Sequence, residues 1–183
     1  MTESVTRSRR MLLLLAALFL LPLAVAFLAY YSGWRPEGNT NHGELLQPIR
    51  QLPAAFAEPL KGKWALAFVG DGACDADCQT ALVFARQTRL SLAADTSRLK
   101  WVLFSTANCC NREYLDTAHK GIVTIDATAD RAALLSVLPV SDLPHSLFVI
   151  DPLGNIVMRY DVRNSPRGLL DDMKKLLKLS HIG

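Results

Sequence analysis

The sequence predicts an α/β fold, a mixed sheet flanked by helices, carried on one N-terminal transmembrane helix. Three observations predict it. Residues 11–31 run for 21 positions without a charge. From residue 61 onward, short apolar runs alternate with helix-length segments. Near the end, two apolar runs flank the turn Asp151-Pro152-Leu153-Gly154 and precede an amphipathic segment. Alternating units closed by a hairpin and a helix put helices on both faces of a mixed sheet.

The charge-free run is taken first. A helix over Met11–Tyr31 spans about 30 Å, the thickness of a bilayer core. Arg7, Arg9 and Arg10 precede it, while only Arg35 follows closely, with Glu37 and Glu44 nearby. Positive flanks stay inside, so residues 1–10 read as a cytoplasmic tail, residues 11–31 as a lipid-embedded anchor, and the rest as external. This is single-pass topology in the inner (cytoplasmic) membrane, with the soluble domain on the periplasmic or outer face. Tyr30, Tyr31 and Trp34 would form an aromatic belt at the outer interface. The alternative is a cleaved signal peptide, with Ala24-Val25-Ala26 as its small-residue site. The apolar run continues through Phe27 to Tyr31, longer than a signal core, which favours the anchor.

Residues 32–60 read as a connector. Gly33, Pro36, Gly38, Gly43, Pro48, Pro53 and Pro59 keep it from forming one long element. Residues 61–183 read as one domain, long enough for a core of its own. Trp64–Val69 is a buried strand, and Gly70 to Cys78 turns into a helix that ends near Leu92, with Ala81, Leu82, Ala85 and Leu90 on its core face. Leu99–Ser105 is a second strand, Arg112–His119 a short helix, Ile122–Ile125 a brief strand and Ala129–Leu138 a helix. Ser146–Ile150 and Asn155–Tyr160 form the hairpin. Pro166 opens the last helix, whose stripe is Leu169, Leu170, Met173, Leu176 and Leu177. The 20 Lys and Arg against 17 Asp and Glu are scattered, leaving no basic patch of the kind nucleic acid requires. There is no Ser/His/Asp order for a triad and no phosphate-binding Gly loop.

The chemistry sits in the four cysteines, Cys74, Cys78, Cys109 and Cys110. An exported domain meets an oxidising compartment, where disulfides persist. Bridges within such tight pairs close very short loops and constrain the unfolded chain little. Redox or metal chemistry is the better reading. Cys74 and Cys78 follow a buried strand and open a helix, where backbone N–H groups and the dipole stabilise a thiolate. Their spacing of four puts both sulfurs on one helical face, able to form a disulfide or grip a soft ion such as Cu(I). Asp75 and Asp77 act the other way, since adjacent negative charge raises a thiol pKa. A structural disulfide, or two buried apolar cysteines, is the alternative.

Gly62-Lys63-Trp64-Ala65-Leu66-Ala67-Phe68-Val69-Gly70 followed by Cys74-x-x-x-Cys78 resembles the Sco/SenC family, as does the hairpin from His145 through Asp151-Pro152-Leu153-Gly154 to Ile156. The likeness runs in order and architecture from about residue 45 onward, together with the anchor. Members are membrane-anchored, thioredoxin-like copper chaperones of cytochrome c oxidase assembly. The resemblance therefore implies a thioredoxin-like sheet, copper as cargo, a respiratory oxidase subunit as partner, and Cys74 and Cys78 as redox pair and metal ligands. Two positions depart from the pattern. Asp75 stands where members usually have proline, and Leu143 stands at their ligand histidine, with His145 two residues on. A shift of two along a strand keeps the face, so His145 is the candidate third ligand, alternating with Leu147 and Val149. The same resemblance makes Leu143–Pro144 a cis bond beside the cysteines.

In a thioredoxin-like sheet the strand before Cys109-Cys110 lies parallel and adjacent to Trp64–Val69, so this vicinal pair belongs near Cys74 and Cys78. It reads as extra Cu(I) ligands, as a relay dithiol exchanging with the main pair, or as a structural or surface pair. His42, His119 and His181 read as solvated or capping, Asp126 and Asp130 as turn and helix-start residues. The function expected is oxidase assembly, by copper delivery or by reduction of copper-site thiols. A general periplasmic thiol-disulfide oxidoreductase and a non-catalytic thioredoxin-like binding module are the rivals.

Overall fold

The computed structural model describes residues 2–33, 40–180 and 182. Trp34, Arg35, Glu37 and His181 lie outside the described residues, so one ring of the expected belt and the near outer charges go undescribed. The chain divides into two compact units, Met1–Thr40 and Asn41–Gly183.

The first unit is helix α1, Thr2–Tyr31, which runs through Pro22. Its stretch Arg9–Tyr31, 23 residues of mean hydropathy 2.9, is long and apolar enough to cross a membrane. From Met11 to Tyr31 its residues are apolar on every face, the pattern of a helix that can lie in lipid. Tyr31 stacks on Phe27 one turn back, with ring centroids 4.6 Å apart.

In the second unit, strands β1 (Glu44–Gln51), β2 (Trp64–Asp71), β3 (Leu99–Ala107), β4 (Val123–Asp126), β5 (Ser146–Ile150) and β6 (Asn155–Asp161) form one sheet in the order β1-β6-β5-β2-β3-β4. The β2–β3 and β3–β4 pairs are parallel; β2–β5, β5–β6 and β6–β1 are antiparallel. Helices α2 (Ala54–Ala57), α3 (Ala76–Leu90), α4 (Arg112–Ala118), α5 (Arg131–Val137) and α6 (Pro166–Leu179) cover it. Trp64 to Val69 are all buried, because β2 is central and has a packed core on each face. Its side chains alternate accordingly. Leu66 and Phe68 join Leu82, Leu103, Leu169 and Met173 on one face, while Ala65, Ala67 and Val69 join Phe56, Phe104, Leu134 and Phe148 on the other.

Two expectations change here. The stretch 32–60, read as an irregular connector, supplies edge strand β1 and helix α2, so the compact unit starts at Asn41 rather than residue 61. Leu90, read as a core position, is exposed, because the buried face of α3 is Cys78, Ala81, Leu82, Phe84, Ala85 and Thr88. The start of the unit is clamped by a carboxylate from its far end. Buried Asp172 on α6 accepts the backbone N–H groups of His42 (2.7 Å) and Gly43 (3.0 Å) and contacts His42 Nδ1 at 3.1 Å. His42 is thus tethered rather than simply solvated.

Candidate functional site

The site is built where β2 and β3, side by side, both end. β2 gives way to a loop whose last residue, Asp75, caps α3 by accepting the Cys78 N–H at 3.0 Å. The carboxylate does this at the position where the resembling family usually has proline. Cys74 sits just before the cap with φ +57°, in the left-handed region that costs a residue with a Cβ some backbone strain. Its N–H donates to the Asp71 carbonyl at 3.1 Å, and the Gln79 side-chain amide donates to its carbonyl at 3.2 Å. Cys74 and Cys78 are joined as a disulfide, with Cα atoms 5.0 Å apart, and both residues are at most 2% exposed. Asp71 is held below the ordinary carboxylate range by the Ala73 N–H, then by the Asn108 amide.

The second cysteine pair lies against this loop. Cys109 and Cys110, joined to each other and half-buried, follow β3. Gly72 N–H donates to Ala107 O at 2.8 Å, Asn111 N–H to Gly72 O at 2.7 Å, and Asn108 Nδ2 to Asp71 Oδ2 at 2.8 Å. A Cβ on Gly72 would stand 2.4 Å from Ser105 Oγ, 2.7 Å from Cys109 Cα and 2.8 Å from Asn108 O. Only glycine lets the two loops approach so closely. Cys110 packs against the same core cluster that holds Cys74 and Cys78. Asn111 also caps α4, accepting the Tyr114 N–H at 3.2 Å. Sequence reasoning did not single out Asn111, although an Asn before Arg112-Glu113 is a helix-start signal.

His145 reaches the same end of α3 by another route. It closes a 3-10 turn, Leu143–His145, rather than opening β5, so it does not alternate with Leu147 and Val149 as expected. Pro144 favours that turn because its fixed φ suits a helical start. The Leu143–Pro144 bond is not cis; among the described residues the cis bonds are Gln47–Pro48 and Cys109–Cys110. His145 Nδ1 lies 2.7 Å from Asp142 Oδ1 and Nε2 3.9 Å from Asp77 Oδ1 on the first turn of α3. Arg163 pairs with both Asp142 and Asp161. The bond from His145 lowers the Asp142 carboxyl, and Arg163 brings Asp161 down to about 2. Among the described residues, no group of three or more His, Cys, Asp or Glu is placed to hold a metal ion. A cleft of about 150 Å³ lies beside the Cys74 loop, lined by Phe68, Asp71, Asp75, Arg131, Leu143 and Pro144.

His119 is the C-cap residue of α4, as read, but its side chain is not solvated. His119 is buried, 3.0 Å from the Tyr114 hydroxyl and edge-on to Trp101. Burial, then the Arg86 charge, pulls its pKa below the ordinary value. Asp126 and Asp130 stand at a turn and a helix start, as read: Asp126 accepts the Thr128 N–H and Asp130 is the N-cap residue of α5.

The family model described as "Transmembrane-like, thioredoxin-like, C-terminal domain" matches residues 64–180. Among solved structures, copper-bound yeast Sco1 is similar at 18% identity and TM-score 0.57, covering 77% of this chain and 95% of its own. Apo Sco1 from Thermus thermophilus is similar at 16% identity and TM-score 0.59, covering 75% of this chain and 97% of its own. Copper-bound ScoI from Arabidopsis thaliana is similar at 16% identity and TM-score 0.51, covering 68% of this chain and 89% of its own. These likenesses concern the fold, and the thioredoxin-like mixed sheet flanked by helices is the one anticipated, with edge strand β1 and helix α2 added to it. No curated protein matches the sequence.

Proposed function

We propose, from the premise that this chain belongs to the transmembrane-like, thioredoxin-like C-terminal domain family, that it is a membrane-anchored thiol-redox protein of respiratory oxidase assembly. Its working pair is Cys74 and Cys78. It reduces the copper-site thiols of an oxidase subunit or delivers copper to them. One observation carries the reading: a buried cysteine pair closed over the first turn of α3, at the end of the central strand. A thiolate there is favoured by the helix dipole. In the reduced state one sulfur attacks a client disulfide and the other resolves the mixed disulfide. Two electrons pass to the client, and Cys74–Cys78 closes again.

Copper enters as cargo. Two thiolates one turn apart are soft donors of the kind Cu(I) takes, and the fold-level likeness to copper-bound Sco proteins supports the same direction. His145 is the imidazole candidate for Cu(II), since its Nε2 faces the turn that carries Cys78. Both of its ring nitrogens also face carboxylates, which favours the second reading, a thiol-disulfide oxidoreductase of wider client range. The test is Cu(I) and Cu(II) titration of the reduced full chain in detergent, for wild type, C74S/C78S and H145A. Loss of all copper binding in C74S/C78S, with loss of only the thiolate-to-Cu(II) absorption in H145A, is expected. Absence of copper binding in wild type overturns delivery and leaves thiol exchange. Absence of exchange as well, by mass mapping after mild oxidation and reduction, leaves a binding module.

A further inference from the structure

The two cysteine pairs differ in burial, and their loops are stitched together. Cys74 and Cys78 are at most 2% exposed, so a solvent-borne reductant has poor access to their sulfurs. Cys109 and Cys110 are half-buried, each more accessible than either member of the inner pair. Four hydrogen bonds and the Gly72 contact hold the outer loop against the inner one, and Cys110 packs on the cluster containing both inner cysteines. Cys74 follows Ala73, whose carbonyl accepts the Asn111 side-chain amide at 3.3 Å, so it is the inner cysteine closer along the chain to this contact. Thiol exchange requires access and proximity of one sulfur to another. The outer pair offers access, and the joined loops offer proximity.

We infer that Cys109–Cys110 is the electron entry of a two-disulfide relay, receiving electrons from an external dithiol protein and passing them to Cys74–Cys78. This rests on the reading of Cys74–Cys78 as a working redox pair. The incoming dithiol attacks the vicinal disulfide, resolves to its own disulfide, and leaves two thiols at Cys109 and Cys110. The Cys110 thiolate then attacks Cys74. A Cys74–Cys110 bond forms, the Cys74–Cys78 bond breaks, and Cys78 leaves as thiolate and takes a proton. Cys109 attacks Cys110, restores the vicinal disulfide and releases Cys74 as the second thiol. Two electrons and two protons have moved from the outer pair to the inner, and the external dithiol is the species oxidised.

The relay is tested in the full chain in detergent, with reduced thioredoxin as the dithiol protein and alkylation with mass mapping as the readout. In C109S/C110S, opening of Cys74–Cys78 by reduced thioredoxin should slow by about tenfold or more, because access governs exchange rates. In C78S/C109S, a Cys74–Cys110 bond should form on mild oxidation, an outcome that does not depend on rate. Circular dichroism of both variants separates a lost relay from a lost fold. An unchanged rate in folded C109S/C110S, or no Cys74–Cys110 bond in folded C78S/C109S, overturns the relay. Neither result touches the proposed role of Cys74–Cys78, which fails only if the inner pair neither exchanges nor binds copper in wild type.

Discussion

Gly72 shows how one missing Cβ shapes the site. Two of the atoms its Cβ would meet, Cys109 Cα and Asn108 O, are backbone and cannot rotate away. Gly72→Ala should therefore push the cysteine loops apart and destabilise the unit by about 1–3 kcal/mol, the range for overpacking. Urea unfolding measures this, and a midpoint equal to wild type would show the contact to be softer than described. His119 gives a prediction in pH. Burial holds its folded pKa below the unfolded value of about 6.5. Above about pH 6.5 both states are neutral and the ring adds no pH dependence. Below it, the unfolded chain binds a proton that the folded chain refuses, so stability falls as pH drops, until the lower folded pKa is passed. His119→Phe should remove that part of the slope, and urea midpoints between pH 8 and pH 5, compared for the two proteins, check it. Parallel profiles would mean that His119 takes up its proton as easily folded as unfolded.

At the scale of elements, the clamp between α6 and the lead-in to β1 makes the sharpest demand. Asp172→Ala leaves the His42 and Gly43 N–H groups without their acceptor in a packed setting. Each orphaned donor costs about 1–3 kcal/mol, so a loss of about 2–6 kcal/mol is expected, with Asp172→Asn losing less because it keeps one oxygen. Equal losses from the two substitutions in urea unfolding would assign the effect to packing. The same region shows where the sequence was hard to read. Central strands announce themselves, as Trp64–Val69 and Ser146–Ile150 do, because both faces are buried and the run is continuously apolar. β1 reads Glu-Leu-Leu-Gln-Pro-Ile-Arg-Gln and is exposed at all but one position. As an edge strand it can carry Pro48 without breaking a ladder on both sides, and its register shifts between Leu45 and Arg50, so neither alternation nor apolarity marks it. The site divides in the same way. Cys74 and Cys78 were legible from a strand running into a helix. The 3-10 turn that moves His145 off β5 depends on Asp142 at φ +59° and its partners His145 and Arg163. That arrangement is tertiary, and no spacing encodes it.

For the whole molecule, the question is which side of a membrane the thiols face, since a reducing compartment would keep both pairs open and an oxidising one would close them. α1 contains Arg9–Tyr31, a stretch of 23 residues at mean hydropathy 2.9. Arg7, Arg9 and Arg10 stand at its start, with one arginine, Arg35, soon after its end. Positive charge is retained on the cytoplasmic side, so an outer location of the cysteine-bearing unit is the outcome this asymmetry predicts. A reporter active only in the periplasm, fused after Gly183, should therefore be active, and one active only in the cytoplasm should not. The chain should stay in the membrane fraction through alkaline extraction, with an intact mass that retains residues 1–31. Recovery of a soluble chain shortened near Ala26 would convert the anchor into a signal peptide and leave the domain free. Replacing Arg7, Arg9 and Arg10 with glutamate tests the cause, because it removes the bias while leaving the span intact. The reporter signals should then become mixed, and the fraction of Cys74–Cys78 recovered as thiols should rise in proportion to the molecules whose domain stays inside. A thiol fraction that stays fixed while topology becomes mixed would mean that the pair's own redox balance, rather than its compartment, sets its state.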